Sequence, residues 1–119
     1  MIRDMDLIRD ILILIRDHKH GFAPKDIQID GFTKEQIGFH SYLLNDAGLI
    51  DAPDNTCVGD ESPSAKPLNL TWAGYEFIEN AYDEEIWNES KQVVGKLGAV
   101  SFSVWSTVLA QLVSKNLGI

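Results

Sequence analysis

A capped helix that runs directly into a strand is the feature that most restricts how this chain can fold. Thr33 is a typical helix N-cap, and Gln36, at the third following position, completes a capping box. The helix that begins there is predicted to continue to Ala47, where Gly48 suits the C-terminal cap. Residues 49–52 then resume an extended pattern. The spacing predicts a helix and a strand joined by a tight turn.

The chain before Thr33 contains one predicted helix and one predicted strand. Residues 5–18 place Met5, Ile8, Leu12 and Ile15 on one stripe, which predicts an amphipathic helix. The cationic residues and glycine at 18–21 suit its C-terminus. Residues 24–31 then alternate two isoleucines with polar residues and end at a glycine, which predicts a short strand.

The remainder of the chain is predicted to form a hairpin and then helices. Residues 49–52 and 68–70 are extended, and the stretch between them is rich in Pro, Asp, Asn, Gly and Ser. Thr71 caps a further helix, with Tyr75, Ile78 and Tyr82 on one side. Acidic residues at 83–85 begin another helix, and residues 101–116 form an amphipathic last one. We therefore divide the chain into a domain of residues 1–82 and a helical C-terminal extension, residues 83–119.

The order helix, strand, helix, strand, loop, strand, helix is that of a winged-helix domain. The expected fold class is α+β and mostly helical: a winged-helix-like domain with a small antiparallel sheet, followed by C-terminal helices. The segment H-S-Y-L-L-N-D-A-G-L-I at 40–50 resembles the end of the second helix of helix-turn-helix regulators. The segment L-T-W-A-G-Y-E-F at 70–77 resembles the chain as it leaves the wing.

Longer segments resemble one particular family. They are R-D-M-D-L-I-R at 3–9, T-K-E-Q-I-G-F-H-S-Y-L-L-N-D-A-G-L-I at 33–50, L-T-W-A-G-Y-E-F-I at 70–78, I-W-N at 86–88 and the ending K-N-L-G-I. The family is an uncharacterised one of bacterial and phage or prophage proteins, catalogued as a domain of unknown function. The resemblance implies a winged-helix-like fold and a phage-associated setting, and it brings no activity or site residue. A predicted strand stands where a complete helix-turn-helix has an extra helix.

The charge of the chain weighs against binding to nucleic acid. Its formal net charge is −8, whereas a winged helix holds DNA phosphates with Lys and Arg. The expected wing, residues 49–70, carries four acidic residues against Lys66. The expected recognition helix has Lys34 against Glu35 and Asp46. We find no basic stripe in any segment.

Two functions stay open. In the first, the protein is non-enzymatic and regulates by binding double-stranded DNA or a protein partner through its second helix. The candidate contacts are Lys25, Lys34, Gln36, Phe39, Tyr42, Asn45 and Lys66. Of these, Lys25 and Lys66 would contact phosphates. In the second, the chain is a protein-protein interaction or oligomerisation module that does not bind DNA. Phe39, Tyr42 and Trp105 would then be its anchors, since aromatic residues on the face opposite the core suit a protein contact.

The sequence predicts no enzyme, no cofactor and no metal site. Gly-rich phosphate loops, H-E-x-x-H and G-x-S-x-G are all absent from it. Cys57 is the single cysteine, which excludes an internal disulfide and a Cys-based zinc site. His40 is predicted to be a hydrogen-bonded core histidine. The adjacent Glu84 and Glu85 point in different directions on a helix, so we interpret them as capping charges.

Residues 97–114 form a stretch of 18 residues without a charge, close to the length that spans a bilayer. Its Ser, Thr and Gln residues gather on one face, which indicates a helix packed against the domain or against a second copy. We expect no membrane segment and a homodimer. The candidate interface is Phe102, Trp105, Leu109, Leu112 and Val113. The N-terminus has no uninterrupted apolar run of the signal-peptide type, so the expected location is the cytoplasm.

Overall fold

A computed structural model describes residues 1–96 and 100–118, and in these ranges the chain forms five helices and one two-stranded sheet. The helices are α1 (Met5–Asp17), α2 (Lys34–Asp46), α3 (Trp72–Ala81), α4 (Glu84–Gly95) and α5 (Phe102–Asn116). Strands β1 (Ile50–Asp51) and β2 (Asn69–Leu70) pair antiparallel, with Ile50 opposite Leu70. The α+β, mostly helical class with a small antiparallel sheet is therefore confirmed.

The chain divides into two compact units, Met1–Glu76 and the residues from Phe77 onward. This division lies inside α3, whereas the sequence places it after Tyr82. The uncharged segment predicted at 97–114 begins outside the described residues, because 97–99 are not among them. Within the described ranges, we find no helix with the length and apolar character that crossing a membrane requires.

The strand predicted over residues 24–31 was wrong, because this segment is a loop between α1 and α2. The Phe32 N–H donates to the Ile29 carbonyl (3.2 Å), and Gly31 between them has a φ of 88°. Ile27 and Ile29 are both half-buried. Alternating isoleucines can be half-buried in a loop that packs along the protein surface. A strand, in contrast, also needs a neighbouring strand to pair with. The described elements therefore lack the first strand of the predicted order.

The predicted amphipathic helix α1 lies in the core of the first unit. The Asp4 carboxylate caps this helix by accepting a hydrogen bond from the Leu7 N–H (3.2 Å). Apolar side chains then cover a wide stripe, and α1 packs against α2 and β2. The buried members of the stripe are Met5, Leu7, Ile8, Ile11, Leu12 and Ile15. Burying this stripe is the main stabilising contribution of α1, since burial of one large aliphatic side chain contributes about 1.5–3 kcal/mol.

The capping box that opens α2 is confirmed. Thr33 Oγ1 accepts from the Gln36 N–H (3.1 Å), and Gln36 Oε1 accepts from the Thr33 N–H (2.8 Å). Gly48 follows the C-terminus of α2 and has a φ of 77°, a conformation that glycine adopts without steric cost. Ile50, the first residue of β1, follows almost immediately.

The predicted cap of α3 is also confirmed, and it has a second role. Thr71 Oγ1 accepts from the Gly74 N–H (3.1 Å) and donates to the Gly48 carbonyl oxygen (2.6 Å). The Thr71 N–H donates to the Leu49 carbonyl (3.1 Å). A Cβ at Gly74 would collide with the Leu49 carbonyl oxygen. The first turn of α3 is therefore hydrogen-bonded to the turn that follows α2.

In the second unit, α4 packs against α5. The rings of Trp87 and Trp105 stack with centroids 5.2 Å apart and an angle of 12° between their planes. Ser90, which is fully buried, accepts from Trp105 Nε1 (3.1 Å) and donates to the Trp87 carbonyl (2.6 Å). Phe102 packs against Phe77, with centroids 4.7 Å apart. An aromatic cluster therefore holds this unit together.

Candidate functional site

The loop between the two strands folds back onto α2. We call residues 52–68 the wing loop and residues 62–65 its docked arm. The Ala65 N–H donates to the Gly38 carbonyl (3.2 Å), and Ser62 Oγ donates to Glu35 Oε2 (2.7 Å). Gly38 is buried, and a Cβ there would collide with Ser64 Oγ. One face of the first turns of α2 is therefore covered by the docked arm.

Internal hydrogen bonds hold the wing loop in this arrangement. The Asn55 N–H donates to the Ser64 carbonyl (3.1 Å), and the Lys66 N–H donates to the Pro53 carbonyl (3.0 Å). Thr56 Oγ1 accepts from the Ser64 N–H (2.9 Å). These bonds extend the pairing of the two chain segments well beyond the short strands β1 and β2.

Asp54 turns the wing loop, and its carboxyl has a lowered pKa. The Thr56 hydroxyl and the Thr56 N–H, which lies 2.8 Å from Asp54 Oδ1, hold the pKa of this carboxyl below its usual range. Both groups donate to the charged form of the carboxyl and so favour it. The ionised Asp54 is therefore part of the folded wing loop.

Two of the residues predicted to contact DNA already use their side chains within the fold. Gln36 Oε1 accepts from the Thr33 N–H in the capping box. Asn45 Oδ1 accepts from the Ala52 N–H (2.9 Å) and so holds the start of the wing loop against the end of α2. Each carbonyl oxygen accepts one hydrogen bond within the fold, which holds the amide side chain in a fixed orientation. The Asn45 contact was not predicted, because Ala52 lies beyond the turn.

The predicted aromatic anchors pack within the chain. Phe39 and Tyr42 are half-buried, and their rings stack with centroids 6.3 Å apart. Trp105 is stacked on Trp87. Three other members of the predicted oligomer interface differ in how far they are buried. Leu109 is fully buried, whereas Leu112 and Val113 are half-buried. A homodimer through this stripe stays a prediction.

Exposed aromatic surface occurs instead at the start of α3. Trp72 is 81% exposed, and its Nε1 donates to Glu76 Oε1 (3.1 Å) on the same helix. Tyr75, three residues further along, is 41% exposed. Trp72 is not among the residues predicted from the sequence. Its position next to the Thr71 cap and outside the apolar stripe of the helix indicates an exposed ring.

Three predicted contact residues come together at one cavity. Lys25 from the loop after α1, Lys34 from the first turn of α2 and Lys66 from the wing loop line a cavity of about 270 Å³. We call it the lysine cavity. Its one acidic lining residue is Asp26, whose Oδ2 accepts from Gln28 Nε2 (2.9 Å).

Electrostatics distinguish the lysine cavity from its surroundings. Within the described ranges, none of its three ammonium groups forms an ion pair with a carboxylate. An adjacent cavity of about 550 Å³ also contains Lys34, but three acidic residues line it. They are Glu35, Asp60 and Glu61. The lysine cavity therefore concentrates positive charge in a chain in which acidic residues predominate.

His40 is a structural residue, as predicted. It is 1% exposed, its Nε2 accepts from the Asp4 N–H (2.9 Å), and its Nδ1 donates to the Gln36 carbonyl (2.8 Å). It therefore links the first turn of α1 to α2. In the described part of the chain, no cluster of three or more His, Cys, Asp and Glu side chains is suited to hold a metal ion.

Comparison with known proteins places the chain in a family. A family model described as hypothetical protein DUF2513 matches residues 2–101. An uncharacterized protein of Haemophilus influenzae is 34% identical over 97 residues, which cover 79% of this chain and 79% of the relative. No solved structure matches the chain. The resemblance to a family with a domain of unknown function is thereby confirmed, and the chain belongs to the DUF2513 family of hypothetical proteins.

Proposed function

We propose that this chain is a non-enzymatic, winged-helix-like module of phage or prophage type that acts in the cytoplasm. It takes part in regulation through a protein partner and does not read DNA sequence. The order α1, α2, β1, β2, α3 supports the winged-helix-like part of the proposal. The choice of a protein partner rests on one observation, the docked arm that lies on α2 at Glu35 and Gly38.

The docked arm matters because of the dimensions of DNA. The major groove is about 12 Å wide and admits a single helix, and an α-helix with its side chains is about 10–12 Å across. A second segment of chain on the first turns of α2 makes this part of the helix wider than the groove. The amide side chains of Gln36 and Asn45 are also engaged within the fold.

The distribution of charge supports the same choice. Phosphate contacts by Lys and Arg provide most of the affinity of a protein for DNA. Residues 49–70, which would lie along the backbone of the duplex, contain four acidic residues and Lys66 as the single base. The net charge of −8 opposes approach to a polyanion at long range.

The exposed ring of Trp72 is the anchor that we assign to the partner surface. Residues that dominate binding energy at protein interfaces are enriched in Trp, Tyr and Arg. Trp72 and Tyr75 lie three residues apart on α3, so both rings belong to the same side of the helix. The proposed partner surface consists of these two residues.

A duplex-binding measurement tests the DNA part of the proposal. Fluorescence anisotropy with a labelled pool of random duplexes, recorded at low ionic strength, should show no saturable binding. Saturable binding that weakens steeply with added salt would overturn the proposal, because that dependence reports the release of counterions from several phosphate contacts.

Photocrosslinking tests the protein partner. A photoreactive amino acid placed at Trp72 should give one main protein adduct in the native host. The same amino acid at Val58, which is fully exposed in the wing loop, should not give it. The captured protein, once purified, should bind the wild-type chain and bind Trp72→Ala at least about tenfold more weakly. Equal binding of the two chains, or no adduct at position 72, would reject the assigned surface.

A further inference from the structure

We infer that the lysine cavity is a binding site for the phosphate dianion, either free or carried as a monoester by a small organic molecule. This site is separate from the surface at Trp72 and does not depend on a protein partner. The inference rests on the convergence of Lys25, Lys34 and Lys66, three cationic side chains from three separate segments, on one concave site.

Placing like charges close together is electrostatically unfavourable. Three lysines that line one cavity carry like charges that repel one another, and a bound anion would reduce this repulsion. Acidic side chains outnumber basic ones 18 to 10 in this chain, so carboxylates to neutralise these lysines are abundant. The described structure nevertheless leaves the three lysines without an ion pair.

Backbone hydrogen bonds hold two of the chain segments that carry these lysines. Lys66 is fixed through its N–H to the Pro53 carbonyl (3.0 Å), directly after the bond from Ala65 to Gly38. The loop that carries Lys25 is held by the Ala23 N–H, which donates to the Leu68 carbonyl (2.6 Å). The site is therefore built on backbone that is hydrogen-bonded on each side.

The size and lining of the cavity suit a small anion. Ile37 and Ser41 of α2 line it together with Lys34, which places it along the side of the helix rather than at its end. Asn55 and Ser64 add an amide and a hydroxyl that can donate to an anion. Small-molecule pockets have volumes of about 300–1,000 Å³, so about 270 Å³ suits a phosphate group with a small organic body at most.

The chemistry of lysine selects the class of anion. A lysine ammonium binds phosphate as a point charge, and three of them match a dianion better than the single charge of a phosphodiester. A concave site also admits a terminal phosphate more readily than a phosphate within a polymer. We therefore assign the phosphate dianion or a phosphate monoester, and not the DNA backbone.

Nuclear magnetic resonance of the full chain tests this inference. Inorganic phosphate and glycerol 3-phosphate, a small monoester, are titrated separately, with chloride at equal ionic strength as the reference. Saturable shifts of the backbone amides of 25–27, 34–41 and 64–66 would support the site. Tighter binding of glycerol 3-phosphate would identify a monoester as the better ligand, and tighter binding of inorganic phosphate would identify the free ion. Shifts that chloride reproduces, or shifts that only a DNA duplex produces, would overturn the inference.

Substitutions provide the matched controls. Lys34→Gln and Lys66→Gln should each weaken phosphate binding about tenfold or more, the loss expected for one charge-assisted hydrogen bond. Lys19→Gln makes the same change in net charge at an exposed lysine that does not line the cavity, and it should leave binding unchanged. All three lysines are exposed, so the variants should fold. An equal loss in Lys19→Gln would show that net charge, and not the cavity, determines binding, which would contradict the inference.

Discussion

The hydroxyl of Thr71 donates a 2.6 Å hydrogen bond to the carbonyl oxygen of Gly48, so the residue that caps α3 also holds the turn that ends α2. Gly74 completes this junction, since its bare Cα lies against the Leu49 carbonyl. The ends of two helices and the start of the hairpin therefore share one set of contacts.

Gly74→Ala should destabilise the chain by about 1–3 kcal/mol, because the added methyl group collides with backbone that cannot move without disturbing β1. Denaturant unfolding followed by circular dichroism measures this change. Gly21→Ala is the control, since nothing lies within 4 Å of a Cβ at Gly21. Equal stabilities of the two variants would show that the junction tolerates the methyl group.

Gly38→Ala should loosen the docked arm while leaving overall stability nearly unchanged. The gain in helix propensity, about 1 kcal/mol, opposes the collision of the new methyl group with Ser64 Oγ. Hydrogen exchange of the Ala65 amide, which donates to the Gly38 carbonyl, should become faster. Adding Ser64→Ala removes the hydroxyl and should restore slow exchange. Unchanged exchange in Gly38→Ala would argue against the close packing of the docked arm.

Ser90→Ala should destabilise the second unit by about 1–3 kcal/mol, since it leaves Trp105 Nε1 without its acceptor. Thermal unfolding followed by tryptophan fluorescence, with Trp72→Phe as the common background, reports on this unit through Trp87 and Trp105. The control is Ser103→Ala at an exposed position of α5, which should change stability by less than about 0.5 kcal/mol. Similar effects of the two substitutions would contradict the assigned role of Ser90.

Acidification should weaken the wing loop through Asp54. The pKa of this carboxyl is lower in the folded chain than in the unfolded chain, so its stabilising contribution is complete above the ordinary pKa of Asp, about 3.9. This contribution is lost as pH falls through the lower, folded value. Thr56→Val should raise the pKa, because it removes the hydroxyl donor, and Thr56→Ser should keep it low. Carbon-detected titration of the Asp54 carboxyl measures both; identical values for the two variants would exclude the hydroxyl as the cause.

The features that sequence analysis predicted correctly depend on neighbouring residues. The Thr33–Gln36 capping box, the end of α2 at Gly48 and the Thr71 cap each form within a few residues of chain, so the local pattern specifies them. The amphipathic stripe of α1 is likewise readable because its period of 3.6 residues is visible in the sequence itself.

Contacts between distant residues could not be predicted in this way. The docking of the arm onto Gly38 joins a helix to a stretch rich in turn-forming residues, for which no periodic pattern exists. A glycine in the middle of a predicted helix was the one available signal, since such a residue usually has a packing reason. The meeting of Lys25, Lys34 and Lys66 is also tertiary, because each lysine alone resembles an ordinary surface residue.

The stacked rings of Trp87 and Trp105 give the second unit an optical signature of its own. Two indoles that lie nearly parallel at 5.2 Å couple their electronic transitions, which should produce a paired positive and negative band in the ultraviolet circular dichroism spectrum. The third tryptophan of the chain, Trp72, belongs to the first unit and is exposed to solvent. Loss of the paired band therefore records the separation of α4 from α5, while the emission wavelength of Trp72 records what happens at the surface of α3.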